Sequence, residues 1–312
     1  DLTPQIGLVP IAMNPVTKLW EFYHLLSAHE GRPGDVVVPK HDAQGRTELD
    51  LGTGIVFVLI PGGSFLMGAQ SRDPALPGYD PLARRNEDPP HRVSLAPFFL
   101  ARHELTQGQW ERISGQKSPS WYSMTATYDG IEGMVSYSHS VESMTQSEAA
   151  EVLRLGGLTL PTEAQWEYAC RAGTTTPWHV GSDPMALGGS ENLSDQSALA
   201  VFSDWQVEAF EDGSAGPYVS GKKPANPFGL HDMHGNMREW VLDIGDAYYF
   251  PVAEGTGLRQ PRELVDICIL RGGSFHNSAA ESRSSFRTEW PPTAKHSSLG
   301  CRAARAVLPA RK

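Results

Sequence analysis

The chain has 312 residues, of which 40% are hydrophobic and 20% charged, ordinary values for a globular protein of one large domain or two smaller ones. Its net charge of −10 argues against general nucleic-acid binding, since that function usually shows a basic footprint. No apolar run reaches the about 18 residues of a membrane span, and the first residues lack the basic start and apolar core of a signal peptide. We therefore expect no membrane insertion and favour a cytoplasmic location. The first residue is Asp1 rather than Met, which leaves open a processed form or a piece of a longer protein.

The first 50 residues alternate proline, glycine and polar residues around one apolar stretch. This pattern predicts an N-terminal arm or linker, residues 1–50, that packs on a main domain of residues 51–312. The apolar stretch reads KLWEFYHLL and predicts a short helix from residue 17 to about 29. Its apolar face would carry Leu19, Phe22 and Tyr23.

Buried strands are predicted at several points of the main domain. Residues 55–63 read IVFVLIPGG, which is rich in β-branched residues and ends at a Pro-Gly-Gly turn. The stretch SFLMG follows as a second strand, and HRVSLAPFFLARHELT resumes strand character after a proline-rich loop at 70–90. Near the C-terminus, ICILRGGSF and LGCRAARAV predict two more strands.

Three helices are marked by threonine N-caps. Thr106 precedes QGQWERIS and a closing glycine, Thr145 precedes QSEAAEVLRL, and Thr162 precedes EAQWEYACR. The third has a broad apolar surface and is predicted to be buried. The stretch MREWVLDI is compatible with either a short helix or a strand.

Residues 174–235 are mostly irregular and rich in glycine, aspartate, serine and asparagine. So long a loop is unusual in a compact domain unless something else holds it, such as a bound cation. We expect an α+β protein with short strands, a few helices and long ordered loops.

The three cysteines, Cys170, Cys268 and Cys301, are too few and too far apart for a disulfide framework or a thiolate zinc site. We interpret them as small buried hydrophobic residues. The sequence leaves open one disulfide, because pairing depends on distances.

Six stretches in order resemble the formylglycine-generating enzyme family, also called the sulfatase-modifying factor family: FVLIPGGSFLMG, PPHRVSLAPFFLARHELTQGQW, LPTEAQWEYACRAG, NPFGLHDMHGNMREW, LRGGSF and GCRAAR. The resemblance covers residues 55–307. It implies an α+β variant of the C-type lectin fold with low regular secondary structure, long ordered loops and bound structural calcium.

The stretch GLVPIAMNPVTKLWEF is similar to the lead-in of such domains in multidomain bacterial proteins, some of which carry kinase modules. It implies a chain fused to, or assembled with, other signalling domains. The sequence itself has no kinase signature.

Catalytic members of the family bind copper(I) through two cysteines just after the Gly-Gly-Ser turn, and soft thiolates do select that ion. Those positions are Asn277 and Ser282 in this chain. We therefore expect no copper and no copper-dependent oxidase activity.

A second catalytic branch, the iron-dependent sulfoxide synthases of ergothioneine biosynthesis, takes its iron ligands from a helical bundle that is absent from this sequence. His24, His29 and Glu30 are the one candidate set, and a spacing of five residues turns two side chains about 140° apart on a helix. We interpret them as surface residues. For His231 and His234 we favour turn packing or solvent over a ligand pair.

Calcium prefers carboxylate, amide and carbonyl oxygens, and the family resemblance suggests two sites. The first would use the following residues: Asn192, Leu193, Asp212 and Ser214. The second would use Asn236, the carbonyl of Met237 and Glu239. The alternative is that Asn236 and Glu239 satisfy only turn amides and a strand end.

The resemblance assigns roles to four arginines and places two of them, Arg283 and Arg287, where the family's cleft lies. The resemblance favours Arg271 and Arg302 as internal ion pairs with bidentate geometry. For Arg283 and Arg287 both alternatives stay open, an internal ion pair or a group in the cleft. Trp166, Trp240 and Phe275 are predicted to lie in the core.

The leading functional hypothesis is a non-catalytic module that binds an unknown protein or small molecule through a displayed surface at 276–298. Its predicted contact residues are His276, Asn277, Ser278, Glu281, Ser282, Arg283, Ser285, Arg287, Thr288, Glu289, Trp290, Lys295 and His296, with Trp290 as anchor. The resemblance adds a narrower hypothesis, a variable protein diversified by a diversity-generating retroelement. The alternative is an oxygen- or metal-dependent oxidase of the formylglycine-generating or sulfoxide synthase type.

Overall fold

The computed structural model describes residues 2–28, 36–47, 50–123, 127–128, 131–132, 135–187, 219–245, 248, 250–259 and 266–309. The strands of these ranges are, in chain order, β1 (Leu8–Met13), β2 (Trp20–His24), β3 (Val56–Ile60), β4 (Gly63–Met67), β5 (His91–Leu95), β6 (Phe98–Ala101), β7 (Thr127–Tyr128), β8 (Ile131–Glu132), β9 (Arg238–Ile244), β10 (Cys268–Arg271), β11 (Thr288–Trp290), β12 (Leu299–Cys301) and β13 (Ala304–Ala306). The α-helices are α1 (Gln107–Ser114), α2 (Gln146–Leu155) and α3 (Glu163–Arg171), with short 3-10 helices at Leu25–Ser27, Arg85–Glu87, Pro184–Leu187 and Ala279–Glu281.

The larger sheet is antiparallel, in the order β1-β2-β3-β6-β13. The helix predicted for residues 17–29 is wrong, because its described part is strand β2 followed by the 3-10 turn Leu25–Ser27. Phe22 lies opposite Phe57 of β3, and both side chains are buried. Pairing with a buried strand has therefore overridden the helical spacing of the apolar residues.

The second sheet has the order β11-β10-β9-β12, with β9 and β12 parallel. The stretch MREWVLDI is thus a strand. The single strand predicted for residues 299–307 is divided in two: β12 joins the second sheet and β13 joins the first. The step between them falls at Arg302 and Ala303, both fully buried, so one segment connects the two sheets.

The predictions of the three threonine-capped helices are confirmed, together with their caps. In each helix the threonine side chain accepts a hydrogen bond from the third backbone N–H, and the third side chain bonds back to the threonine N–H. This reciprocal arrangement satisfies two otherwise unpaired donors at each helix start. Gly115 ends α1 at φ 68°, a left-handed conformation that favours glycine.

The core lies between the two sheets and the helices, and it contains Trp166, Trp240 and Phe275 as predicted, each at most 1% exposed. All three cysteines are free and buried. In the part of the chain that the structure describes, no helix is long and apolar enough to cross a membrane.

Candidate functional site

Two glycines turn the chain out of β10. Gly272 and Gly273 have φ values of 96° and 72°, where residues with side chains are strained. A Cβ at Gly273 would lie 2.1 Å from the Ser282 hydroxyl, and one at Gly272 would lie 3.1 Å from the Trp166 ring. The turn therefore holds the following segment against the core.

The two positions at which the resemblance leads us to expect copper-binding cysteines are filled by hydrogen-bonded polar side chains. Asn277 accepts from the Ser274 hydroxyl at 2.7 Å and donates to Glu281 at 2.9 Å. Ser282 donates to the Ser278 carbonyl at 3.1 Å and is fully buried. Neither offers a soft ligand, so this pair does not fit copper(I).

The three cysteines lie elsewhere, and burial disfavours the thiolate at Cys268 and Cys301. Burial raises the pKa of Cys268 to about 11 and also raises that of Cys301. The Cys170 sulfur lies 3.6 Å from Nε2 of His234 and 3.7 Å from the Ser284 hydroxyl. No two of these thiols replace the missing pair at residues 277 and 282.

Arg271 and Arg302 form the predicted internal ion pairs. Arg271 bonds the Glu167 carboxylate and donates to the Ser285 carbonyl at 2.7 Å. Arg302 donates to both oxygens of Glu239 at 2.7 to 3.0 Å. Both arginines are at most 1% exposed, so each charge is compensated within the protein.

Arg283 and Arg287 prove to be internal ion pairs as well. Arg283 holds Glu87 through two nitrogens at 2.7 and 2.8 Å and Asp80 at 2.7 Å. Arg287 holds Glu163 through two nitrogens at 2.7 and 2.9 Å. Burial acts to raise the pKa of Glu163, but its arginine partners, led by Arg287, outweigh burial and lower it.

The predicted surface at 276–298 divides into buried and accessible side chains. The buried members are Asn277, Ser282, Arg283, Ser285 and Arg287, none more than 7% exposed. The accessible or partly accessible members are His276, Ser278, Glu281, Thr288, Glu289, Trp290, Lys295 and His296. The five buried side chains are not displayed, so the exposed face is smaller than the sequence suggested.

Five rings follow one another at this segment, and we call them the ring strip: Tyr122, Phe275, His276, His296 and Trp290. Phe275 is buried, and the other four rings are at least partly exposed. Centroids are 6.0 Å apart for Tyr122 and Phe275, 4.2 Å for Phe275 and His276, 6.0 Å for His276 and His296, and 6.0 Å for His296 and Trp290. Burial lowers the pKa of His276, with His296 and a nearby arginine adding to the effect. The neutral imidazole is thus favoured there.

Sequence reasoning missed the contribution of the loop after α1. Trp121 is 70% exposed beside Tyr122, and the Tyr122 N–H donates to the buried Glu142 carboxylate at 2.7 Å. Burial raises the pKa of Glu142 to about 7. The Ser143 N–H donates to the His296 carbonyl at 3.2 Å, which ties this loop to the strip. The adjacent aromatic pair in PSWYS was the available signal.

Of the lead-in histidines, the structure describes His24, which is hydrogen-bonded inside the protein. His24 is buried, with one ring nitrogen 3.0 Å from the Ser27 hydroxyl and the other 3.0 Å from the Gly156 carbonyl. Burial lowers its pKa to about 4. The interpretation of His24 as a surface residue is therefore wrong, while His29 and Glu30 lie outside the described residues.

His231 and His234 bond different segments. Nδ1 of His231 lies 2.7 Å from the Lys223 carbonyl, whereas Nδ1 of His234 lies 2.6 Å from the Ser282 carbonyl. Both rings are buried. Turn packing therefore describes them better than a shared metal.

Of the predicted calcium ligands, Asn192, Leu193, Asp212 and Ser214 lie outside the described residues. At the second site, Asn236 donates to Glu104, and Glu239 accepts from Arg302 and from the Trp166 indole at 2.8 Å. Among the described residues no three His, Cys, Asp or Glu side chains form a group that could hold a metal. Asn236 thus serves as a donor to an internal carboxylate, Glu239 accepts from internal side chains, and calcium stays a prediction.

The model of the sulfatase-modifying factor enzyme 1-like domain matches residues 48–307. The chain belongs to this family. The prediction of an α+β, formylglycine-generating-enzyme-like variant of the C-type lectin fold is confirmed, with few helices and short strands.

Curated relatives in this family have different names. Serine/threonine-protein kinase pkn1 of Chlamydia caviae is 29% identical over 80% of this chain and 38% of its own length. Hercynine oxygenase of Mycolicibacterium smegmatis is 27% identical over 74% of this chain and 56% of its own length. The formylglycine-generating enzyme of Streptomyces coelicolor is 26% identical over 79% and 88% of the two chains. The chain therefore spans about two fifths of the kinase and little more than half of the oxygenase.

Solved structures agree on the fold. PvdO from Pseudomonas aeruginosa matches with a TM-score of 0.63 and 24% identity, over 81% of this chain and 95% of its own. Treponema denticola variable protein 1 matches with a TM-score of 0.59 and 20% identity, over 83% and 98% of the two chains. At these identities the likeness concerns fold and not activity.

Proposed function

We propose that this chain is a non-catalytic binding module whose contact face is the ring strip. One observation carries the proposal: the family's copper positions hold the hydrogen-bonded Asn277 and Ser282, while exposed rings cluster beside them. The segment keeps its scaffold of turn and ion pairs and lacks the soft ligands of the oxidase. The accessible aromatic side chains are therefore the surface that a partner would contact.

The chemistry of the strip suits a protein or peptide partner. Aromatic side chains provide large contact areas at low entropic cost, and they dominate binding energies in many interfaces. Trp290 and His296 form one end, and His276 is exposed at the centre. Trp121 adds a further accessible ring beside Tyr122.

A selection from a displayed peptide library tests this face. Peptides selected on the wild type should lose binding to the variant His276→Ala/Trp290→Ala, because two accessible rings are removed. They should retain binding to Trp20→Ala, which removes a 45% exposed ring from β2 and serves as the matched control. Full retention by the double variant would contradict the proposal.

Arg283→Ala is a poor probe of the same face. Its guanidinium is 1% exposed and neutralises Glu87 and Asp80, so its removal would disturb the fold. A lost interaction in that variant would not identify a contact residue.

The relatives support two narrower proposals, one about the larger protein that carries this module and one about the genetic element beside its gene. The kinase match supports a module carried within, or beside, a signalling protein. The fold of the Treponema denticola variable protein supports a diversified binding protein. A template repeat and a variable repeat beside the gene would establish the second, and a gene without them would exclude it.

Structural calcium is part of the proposal, with the ligands that the family resemblance suggests in the 192–214 segment, since carboxylate, amide and carbonyl oxygens suit that hard cation. Thermal unfolding with EGTA, against EGTA plus excess calcium, should show a lower Tm that calcium restores; equal Tm values would contradict it.

The second candidate function is a metal-dependent oxidase, favoured by the relation to hercynine oxygenase. Elemental analysis of the purified protein separates the two. Stoichiometric iron or copper would favour the oxidase, and its absence together with peptide binding at the strip would favour the module.

A further inference from the structure

A cavity of about 760 Å³ lies between the N-terminal segment and the loop before β9. Its walls come from residues 14–17, residues 42–47, the two residues that follow β6, and residues 219–229. It shares no lining residue with the ring strip or with the 276–298 segment. Its volume falls within the range of small-molecule sites.

The charged side chains that line this cavity are mainly cationic. They are Arg46, Arg102, Lys222 and Lys223, against the single carboxylate of Asp42. Asp42 accepts from Arg46 at 2.8 Å and compensates that one charge. Arg102 is likewise paired, with Glu21 at 3.2 Å. Among the lining side chains, Lys222 and Lys223 add positive charge beyond these two pairs, which favours an anion, even though the protein as a whole carries a net charge of −10.

Arg102 is a fixed part of the wall. It is 4% exposed, and its guanidinium donates to Glu21 at 3.2 Å, to the Thr47 hydroxyl at 3.2 Å and to the Gly45 carbonyl at 3.0 Å. These three acceptors hold it in one orientation. The N-terminal segment therefore helps to build the cavity.

Two histidines form a flat inner surface. The rings of His103 and His231 stack with centroids 4.7 Å apart and planes 23° apart, and each residue is 8% exposed. Nδ1 of His231 is engaged by the Lys223 carbonyl, whereas no described residue is hydrogen-bonded to the ring of His103. Gly221, at φ 82°, lets the loop backbone approach His103, since a Cβ there would lie 2.5 Å from Nε2. The site thus has an unpartnered, nine-tenths-buried imidazole on its wall.

We propose that this cavity binds a small organic anion, whose carboxylate or phosphate group lies among the cationic side chains and whose flat portion stacks beside His103 and His231. The proposal does not depend on the role of the ring strip. A cation is disfavoured by the excess of positive side chains.

Calorimetric titration at low ionic strength tests it, with citrate as the carboxylate probe and adenosine monophosphate as the phosphate probe. We expect one saturable site for at least one probe. The variant Lys222→Glu/Lys223→Glu should weaken binding about tenfold or more, because two positive charges at the wall become negative. The matched control, Arg92→Glu/Lys117→Glu, makes the same charge change away from the cavity and should bind within about twofold of the wild type.

Histidine ring signals in NMR spectra give a second measurement on the wild type alone. The signals of His103 and His231 should shift saturably with the probe that binds. Absence of saturable binding by both probes, equal weakening in both double variants, or unshifted signals of these two rings at saturation would each overturn the proposal.

Discussion

At the scale of single residues, the buried arginines of the cleft segment are committed to internal ion pairs. Arg283 and Arg287 reach carboxylates that are 124 to 203 residues away in sequence. Counting residues from the Gly-Gly-Ser turn was enough to predict that Asn277 and Ser282 stand at the positions of the copper-binding cysteines. It could not identify Asp80, Glu87 or Glu163 as partners, since the fold alone brings such distant segments together.

Arg283→Met should lower the free energy of unfolding by about 3–5 kcal/mol, because it leaves the buried charges of Glu87 and Asp80 uncompensated. Urea denaturation measures this loss. The control Arg154→Met removes an arginine that is 68% exposed and paired with Glu151, and it should change stability by less than about 1 kcal/mol. Equal losses in the two variants would contradict the internal role of Arg283.

Glu142 should make stability depend on pH. Its pKa in the folded chain is about 7 against an ordinary value of 4.5, chiefly because of burial. The folded state therefore retains this proton while the unfolded state loses it, so Glu142 lowers the free energy of unfolding as the pH rises from about 4.5 to about 7.

Glu142→Gln removes this titration and keeps an acceptor for the Tyr122 N–H. The free energy of unfolding of the variant minus that of the wild type should be about 1–3 kcal/mol larger at pH 8 than at pH 5. Urea denaturation at the two pH values gives the difference. A stability difference that is identical at both pH values would show that Glu142 does not titrate in this range.

At the scale of elements, the strands and helices with strong local signals were predictable. Helices α1, α2 and α3 begin at threonine caps, and β3 is a run of apolar residues ended by a turn. The segment at 17–29 was mispredicted because its apolar spacing fits a helix, whereas the pairing of Phe22 with Phe57 is a long-range contact. The division of residues 299–307 into β12 and β13 was missed for the same reason, because it depends on pairing with distant strands.

The N-terminal strands should be required for stability, although the family match begins at residue 48. A chain that begins at residue 50 loses β1 and β2, which exposes the edge of β3 and the apolar surface covered by Leu8, Phe22 and Tyr23. We expect a fall in Tm of about 10 °C or more, or aggregation through the open edge. Thermal unfolding followed by light scattering measures both, and a Tm within about 2 °C of the full chain would contradict this role.

At the scale of the whole molecule, the family's scaffold is retained, while Asn277 and Ser282 stand where the resemblance leads us to expect copper-binding cysteines. The sulfatase-modifying factor enzyme 1-like match covers residues 48–307, and the turn at Gly272 and Gly273 with its ion pairs remains in place. The extent of the exposed face could not be predicted, because small polar residues and arginines in a cleft segment look alike whether buried or displayed. The ring strip and the cationic cavity appear only when distant segments come together.

The proposed function requires that this chain keeps the family scaffold but does not bind catalytic copper. The most direct test is an anaerobic copper(I) titration in competition with a chromophoric chelator. The wild type should leave the copper with the chelator, and the variant Asn277→Cys/Ser282→Cys should withdraw about one equivalent, because soft thiolates at both positions select that ion. If the wild type itself withdraws one copper(I) per chain, the account of a non-catalytic binding module is contradicted.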